Sequence, residues 1–221
     1  MRTKGRFAPT PSGPLHEGSL QTAAASWISA RRQNGQWWVR IDDLDAARCP
    51  PGATACILQQ LEAYGLHWDG HPVYQTQHVE RYRHAREVLA RAGALYPCDC
   101  TRAERRARLQ ETPSAYDQHC WRHPHTPART PAWRLILDDA DLHWNDQLQG
   151  AKYHHVPLVM DASGRKMSKQ NHAAPLPDDP SGMSAAMLRV LTRLGHTLPP
   201  MLHRAAPVLQ LRCVLESLRA S

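Results

Sequence analysis

Two stretches of this chain carry residues suited to handling a polyphosphate. The first is Arg6-Phe7-Ala8-Pro9-Thr10-Pro11-Ser12-Gly13-Pro14, followed at once by His16-Glu17-Gly18-Ser19-Leu20. Its prolines and glycine force a turn, and a helix opening near Gly18 would present unpaired N–H groups and the positive end of its dipole, with His16 as a further donor. The second is Asp161-Ala162-Ser163-Gly164-Arg165-Lys166-Met167-Ser168-Lys169-Gln170-Asn171, where three cations in a short Ser/Gly loop offer mobile positive charge.

Two further groups are chemically able. Cys98-Asp99-Cys100, with Tyr116-Asp117-Gln118-His119-Cys120 downstream, sets three soft thiols in an irregular charged segment, a donor set for tetrahedral Zn²⁺. His119 or Tyr116 can complete it, and histidine is the commoner choice because a phenol must lose a proton of pKa about 10. The C-x-C spacing is tighter than usual, so unligated cysteines are the competing reading. Asp42, Asp43 and Asp45 could hold a metal or an ammonium group, or simply cap a strand end.

The elements that must position these residues are legible from periodicity. Residues 4–8 read as a strand, 19–33 as a helix with Leu20, Ala23, Ala24, Trp27, Ile28 and Arg31 at helical spacing, and 37–41 as an apolar strand. Asn34-Gly35 is the stop signal between them. Strand, helix, strand at this spacing predicts a parallel βαβ unit whose ligand site lies beyond the strands' carboxyl ends. Helices are expected over 51–64 and 77–92, the second with a basic outer face (Arg81, Arg83, Arg86, Arg91) facing solvent or RNA phosphate. A short strand is expected at 72–75 and a strand-like segment at 132–137. Helices over 183–194 and 207–218 complete the reading.

Composition agrees with one main domain and a polyanionic partner. The chain has 221 residues, 42% hydrophobic, with a net charge of +7 and a pI near 9.3. No apolar signal region follows Met1 and no apolar run is long enough to cross a bilayer, so a cytoplasmic protein without a membrane partner is expected. In that compartment the six cysteines are thiols or metal ligands rather than disulfides. Nothing fixes the oligomeric state; a monomer is the working expectation.

Together the two phosphate stretches resemble the paired signatures of class I aminoacyl-tRNA synthetases. His16-Glu17-Gly18-Ser19 is similar to His-x-Gly-His, and Lys166-Met167-Ser168-Lys169-Gln170 to Lys-Met-Ser-Lys-Ser. Ala8-Pro9-Thr10-Pro11-Ser12-Gly13, Tyr64-Gly65-Leu66-His67-Trp68-Asp69-Gly70, the Cys/Tyr cluster and Lys169-Gln170-Asn171-His172 narrow the resemblance to the glutamyl-Q tRNA(Asp) synthetase family. This family is a shortened relative of glutamyl-tRNA synthetase without an anticodon-binding domain. The resemblance implies an α/β, Rossmann-like catalytic domain over residues 1–196, with a small zinc-binding insertion at about 95–125 and a short helical tail over 197–221. It implies catalytic and ATP-binding roles for His16, Gly18, Lys166 and Lys169, with Ser19 beside them. Arg6, Phe7, Ala8, Pro9, Thr10 and Asp42 would bind glutamate, and Cys98, Cys100, Tyr116 and Cys120 would bind structural zinc. The implied reaction activates glutamate with ATP, accompanied by Mg²⁺, and passes the glutamyl group to queuosine in the anticodon region of tRNA(Asp).

One departure is prominent. Asp146-Gln147-Leu148-Gln149-Gly150 resembles a family turn and Tyr153 to Met160 the family strand leading into the lysine loop, segments that lie far apart in the family, yet here only Ala151 and Lys152 separate them. A βαβ crossover needs about 30 residues, so the domain is expected to be reduced in its second half by an internal deletion. The alternative function is therefore a shortened, catalytically impaired member that retains nucleotide, zinc or tRNA binding. A nucleotidyltransferase acting on a small molecule would share the phosphate motifs but leaves the cysteines unexplained.

Overall fold

The computed structural model describes residues 3–108, 118–136, 156–160, 164, 166–167 and 173–220. It divides into two compact units, one formed by residues 1–77 and 153–221 and the other by 78–152.

The first unit begins with the expected βαβ unit. Strand β1 (Lys4–Phe7), helix α1 (Glu17–Arg31) and strand β2 (Gln36–Ile41) follow in order, and the strands pair in parallel with Arg6 opposite Trp38. β2 also pairs in parallel with the short β3 (Val73–Tyr74), so among the described residues the sheet order is β1-β2-β3. β2 alternates strictly: Trp37, Val39 and Ile41 are buried while Gln36, Trp38 and Arg40 are less so, as expected for a strand with one face on a helix layer.

Helix α1 supplies that layer. Leu20, Ala23, Ala24, Trp27 and Ile28 are buried at helical spacing, and the alanines allow close approach to the sheet. Gln21 is fully buried on the same stripe, a polar residue the periodicity did not single out. At the helix end Asn34, rather than Gly35, takes the left-handed conformation (φ 51°). Gly35 is required for space: a Cβ there would stand 2.4 Å from the Thr3 carbonyl oxygen.

The remaining helices close the core. α2 (Ala53–Ala63) stops at Gly65 (φ 74°), α6 spans Pro180–Arg193 and α7 Pro207–Ala220. Asp179 caps α6 by accepting from the Gly182 N–H at 2.8 Å, with Pro180 in the first turn. Leu198, Leu211 and Val214, from the stretch expected to be a tail, belong to the same buried cluster as Trp37, Ile57 and Met187. Over 156–160, where a strand was expected, the backbone forms only an isolated antiparallel bridge, Met160 to Lys166. The junction around Gly150 and Tyr153 lies outside the described residues.

In the second unit, α3 (Val79–Arg91) buries none of its residues. β4 (Leu95–Cys98) pairs antiparallel with β5 (Ala132–Leu135), and α4 (Arg102–Arg108) and the short α5 (His119–Arg122) flank them. Its buried core is small, consisting of Tyr96, Cys98 and Cys120 with Cys100 and Ile136 against them.

Candidate active site and metal centre

A cleft of about 420 Å³ opens in the first unit where β1 ends and α1 begins. Phe7, Pro9, Thr10, His16, Gly18 and Ser19 line one side, and Val156 to Val159, Lys166 and Met167 the other. The cleft thus brings the start of the first signature together with the first lysine of the second. Lys169 and Ser168 lie outside the described residues.

His16 is the N-cap of α1. Its Nδ1 accepts from the Ser19 N–H at 3.2 Å, and its Nε2 stands 3.2 Å from the Ser19 hydroxyl. An accepting Nδ1 leaves the proton of a neutral ring on Nε2, the tautomer that can donate. Gly18 lets this ring and the opposite wall approach, since a Cβ there would meet the His16 Cε1 at 3.1 Å and the Val159 Cβ at 3.7 Å.

Three residues expected at the glutamate site do not line this cleft. Arg6 is exposed on β1, Ala8 stands just beyond that strand, and Asp42 is engaged elsewhere. The Asp42 N–H donates to the Pro9 carbonyl at 3.0 Å, tying the two strand ends together as expected. Its carboxylate, however, receives a two-pronged pair from Arg40, at 2.6 and 3.1 Å, an i to i+2 partner that wins by proximity. Asp43 binds the Thr76 N–H and hydroxyl at 3.0 and 2.7 Å, which makes it a structural cap.

Sequence reasoning missed the support behind the signature. Glu17, between His16 and Gly18, is gripped by Arg189 and Arg193 of α6. Burial pushes the Glu17 carboxyl up, and the hydrogen bonds and charges of the two guanidinium groups outweigh this, leaving its pKa below the ordinary 4.5. A carboxyl whose folded pKa is depressed adds stability that is complete above the unfolded value and lost as pH falls through the folded one. Glu17→Gln should therefore flatten the acid side of the stability curve below pH 4.5, and acid titrations followed by circular dichroism check it. An acid limb that is the same in variant and wild type would contradict it.

The thiols come together as expected. The Sγ atoms of Cys98, Cys100 and Cys120 all lie within 4.8 Å of one another, and those of Cys100 and Cys120 are 3.2 Å apart. Tetrahedral Zn²⁺ with Zn–S bonds of about 2.3 Å places sulfurs about 3.8 Å apart, so the cluster accommodates it with small outward shifts. Burial, then the hydrogen bonds from Cys100 and Cys98, push the Cys120 thiol up to about 12. Thiols crowded this closely keep their protons, and a bound cation would be needed to hold them as thiolates. Arg108 already donates to the Cys100 sulfur at 3.2 Å.

His119 stacks on His123 instead of joining the thiols, with ring centroids 4.7 Å apart, and Tyr116 lies outside the described residues. The structure adds His125, which is bonded to Asp99 at 2.8 Å and forms a second close group with Asp99 and Cys120. Asp99 also accepts from the Ala128 N–H at 2.9 Å, which pins the loop between the two cysteines.

Comparison with known proteins agrees with this architecture. The model of the class I tRNA synthetase (E and Q) catalytic domain matches residues 2–125, which sets the class: a class I synthetase catalytic domain of mixed α/β content. The chain is 36% identical to the glutamyl-Q tRNA(Asp) synthetase of Thiobacillus denitrificans over 92% of its own length and 89% of the relative's. It is 35% identical to that of Pectobacterium atrosepticum over 87% of its own length and 78% of the relative's. A solved glutamate-tRNA synthetase from Elizabethkingia anophelis overlaps 52% of this chain and 26% of its own, at 28% identity and a TM-score of 0.45. The chain belongs to the glutamyl-Q tRNA(Asp) synthetase family, and is thus an aminoacyl-tRNA synthetase-like enzyme.

Because 92% of the 221 residues fill the 269-position alignment with the Thiobacillus protein, on the order of 60 of its positions have no counterpart in this chain. Among the described residues, no helix is long and apolar enough to cross a membrane.

Proposed function

We propose that this chain activates glutamate with ATP and passes the glutamyl group to queuosine in the anticodon region of tRNA(Asp). The observation that carries the proposal is the single cleft lined by His16, Gly18, Ser19 and Lys166. In a Rossmann-like half of this kind, the first turn of α1 and His16, with Ser19 bonded to it, would face the phosphates of ATP, which arrives with Mg²⁺. Lys166, with Lys169 close by in the sequence, would close over them. When the glutamate carboxylate attacks the α-phosphate, negative charge moves onto the departing pyrophosphate, and donors already in place lower that barrier without reorganising. Phe7, Pro9 and Thr10 provide the wall beside the amino acid.

Cys98, Cys100 and Cys120 would hold structural zinc in the second unit, with Tyr116 the fourth ligand implied by the family. Zinc would staple a unit with little core of its own. Protein prepared with zinc should contain about one ion per chain. Cys100→Ser should lose that ion and the amide-exchange protection of residues 95–98 and 132–135. Full protection after chelation would argue against the assignment.

A second reading is favoured by the pairing of Asp42 with Arg40 and by the missing positions: a member that keeps nucleotide binding but activates glutamate poorly. Glutamate-dependent ATP–pyrophosphate exchange on zinc-loaded protein separates the two. Exchange supports the synthetase reading. A folded protein that binds ATP without exchange supports the impaired one.

A further inference from the structure

Gln21 is fully buried, one turn into α1, on the stripe that packs Leu20 and Ala24 into the core. Leucine would serve such a position better, because a buried amide is tolerated only when its hydrogen bonds are made. Here they are: the Gln21 Nε2 donates to the Pro157 carbonyl at 2.6 Å, and its Oε1 lies 3.4 Å from Arg193 Nη1. Arg193 is held in turn by Glu17, to which Arg189 also donates at 2.8 Å.

The amide therefore ties α1 to the opposite wall of the cleft. Pro157 lies in that wall, two residues before Val159, whose carbonyl accepts from the Met167 N–H at 2.8 Å. The bridge between Met160 and Lys166 carries the connection to the lysine. A continuous chain of bonds runs from α6 through Arg193 and Gln21 to the backbone that presents Lys166.

We infer that Gln21, held by Arg193, is a positioning residue that sets the distance between the lysine-bearing wall and the N-terminal turn of α1. Glu17 contributes by pairing with both arginines, which holds Arg193 beside Gln21. The inference rests on the reading of the cleft as the ATP site, but its first test does not.

Gln21→Met conserves volume and removes the amide. Hydrogen exchange of the peptide over 156–167 should quicken, while circular dichroism stays as in the wild type. In pyrophosphate exchange, kcat should fall about 10-fold with the KM for ATP within a factor of about two, since a displaced group costs rate before ground-state binding. In a Lys166→Ala background the same substitution should add almost no loss, because its effect passes through that lysine. Arg193→Met should move the same readouts in the same direction and serves if Gln21→Met does not fold. Unchanged exchange of the peptide in both variants, or a kcat loss that multiplies with that of Lys166→Ala, would overturn the inference. If the wild type lacks pyrophosphate exchange, the proposed function falls, and the amide measurement alone decides the role of Gln21.

Discussion

Lys166→Ala lowers glutamate-dependent ATP–pyrophosphate exchange by about 10²–10³-fold, the loss typical of removing one preorganised donor from a developing charge. The melting temperature should hardly move. Lys166 is exposed and stands outside the buried clusters, and surface substitutions usually stay within about 0.5 kcal/mol. Separation of activity from stability is the informative part. Lys166→Arg keeps the charge but replaces a compact ammonium with a planar fork, so partial recovery is expected. Exchange undiminished in Lys166→Ala would remove this lysine from the chemistry.

The second large effect concerns the last helix. Leu211 and Val214 of α7 are almost fully buried, and Gln210 beside them donates to the Leu202 carbonyl at 3.0 Å and the Ser184 hydroxyl at 3.2 Å. Arg219 donates to the Arg31 carbonyl and to Asn34, both at 3.0 Å, capping the far end of α1. Gly65 exists in part for this helix, since a Cβ there would stand 2.9 Å from the Val208 Cα. Leu211→Ala should cost about 2–5 kcal/mol in denaturant unfolding. Truncation before residue 207 should leave the first unit unfolded, because domains hold only about 5–15 kcal/mol in total. A truncated chain that melts cooperatively near the wild-type temperature would refute this.

Local features were the legible ones. The stripe of α1, the apolar strand at β2 and the stop signal after α1 are set by neighbours a few residues apart, so periodicity and turn chemistry reveal them. The thiol cluster was legible as a possibility, since three cysteines share one charged irregular segment, although the tight C-x-C spacing by itself left unligated cysteines as an equal reading. What escaped depends on partners distant in sequence. Glu17 meets Arg189 and Arg193 across more than 170 residues, and Gln21 finds Pro157 across 136. A glutamine on an apolar stripe is a signal that some partner exists, but it cannot say which. At Asp42 the partner is close instead: Arg40, two residues away, pairs with its carboxylate, and a strand-end pattern does not show which acid faces a substrate. The expected strand over 153–160 rested on its likeness to a family segment, and over 156–160 the described backbone forms only the single bridge of Met160 to Lys166.

The order in which the core is assembled has a consequence during synthesis. Trp27, Ile28, Trp37 and Leu66 leave the ribosome well before Met187, Leu211 and Val214, which share their cluster. At about 5–20 residues per second, roughly 145 residues between Leu66 and Leu211 mean a wait of about 7–30 seconds with a half-built core in water. Nascent chains of this protein should engage holding chaperones through the βαβ unit until the final helix docks. Its yield in cells would then follow chaperone supply more closely than its final stability.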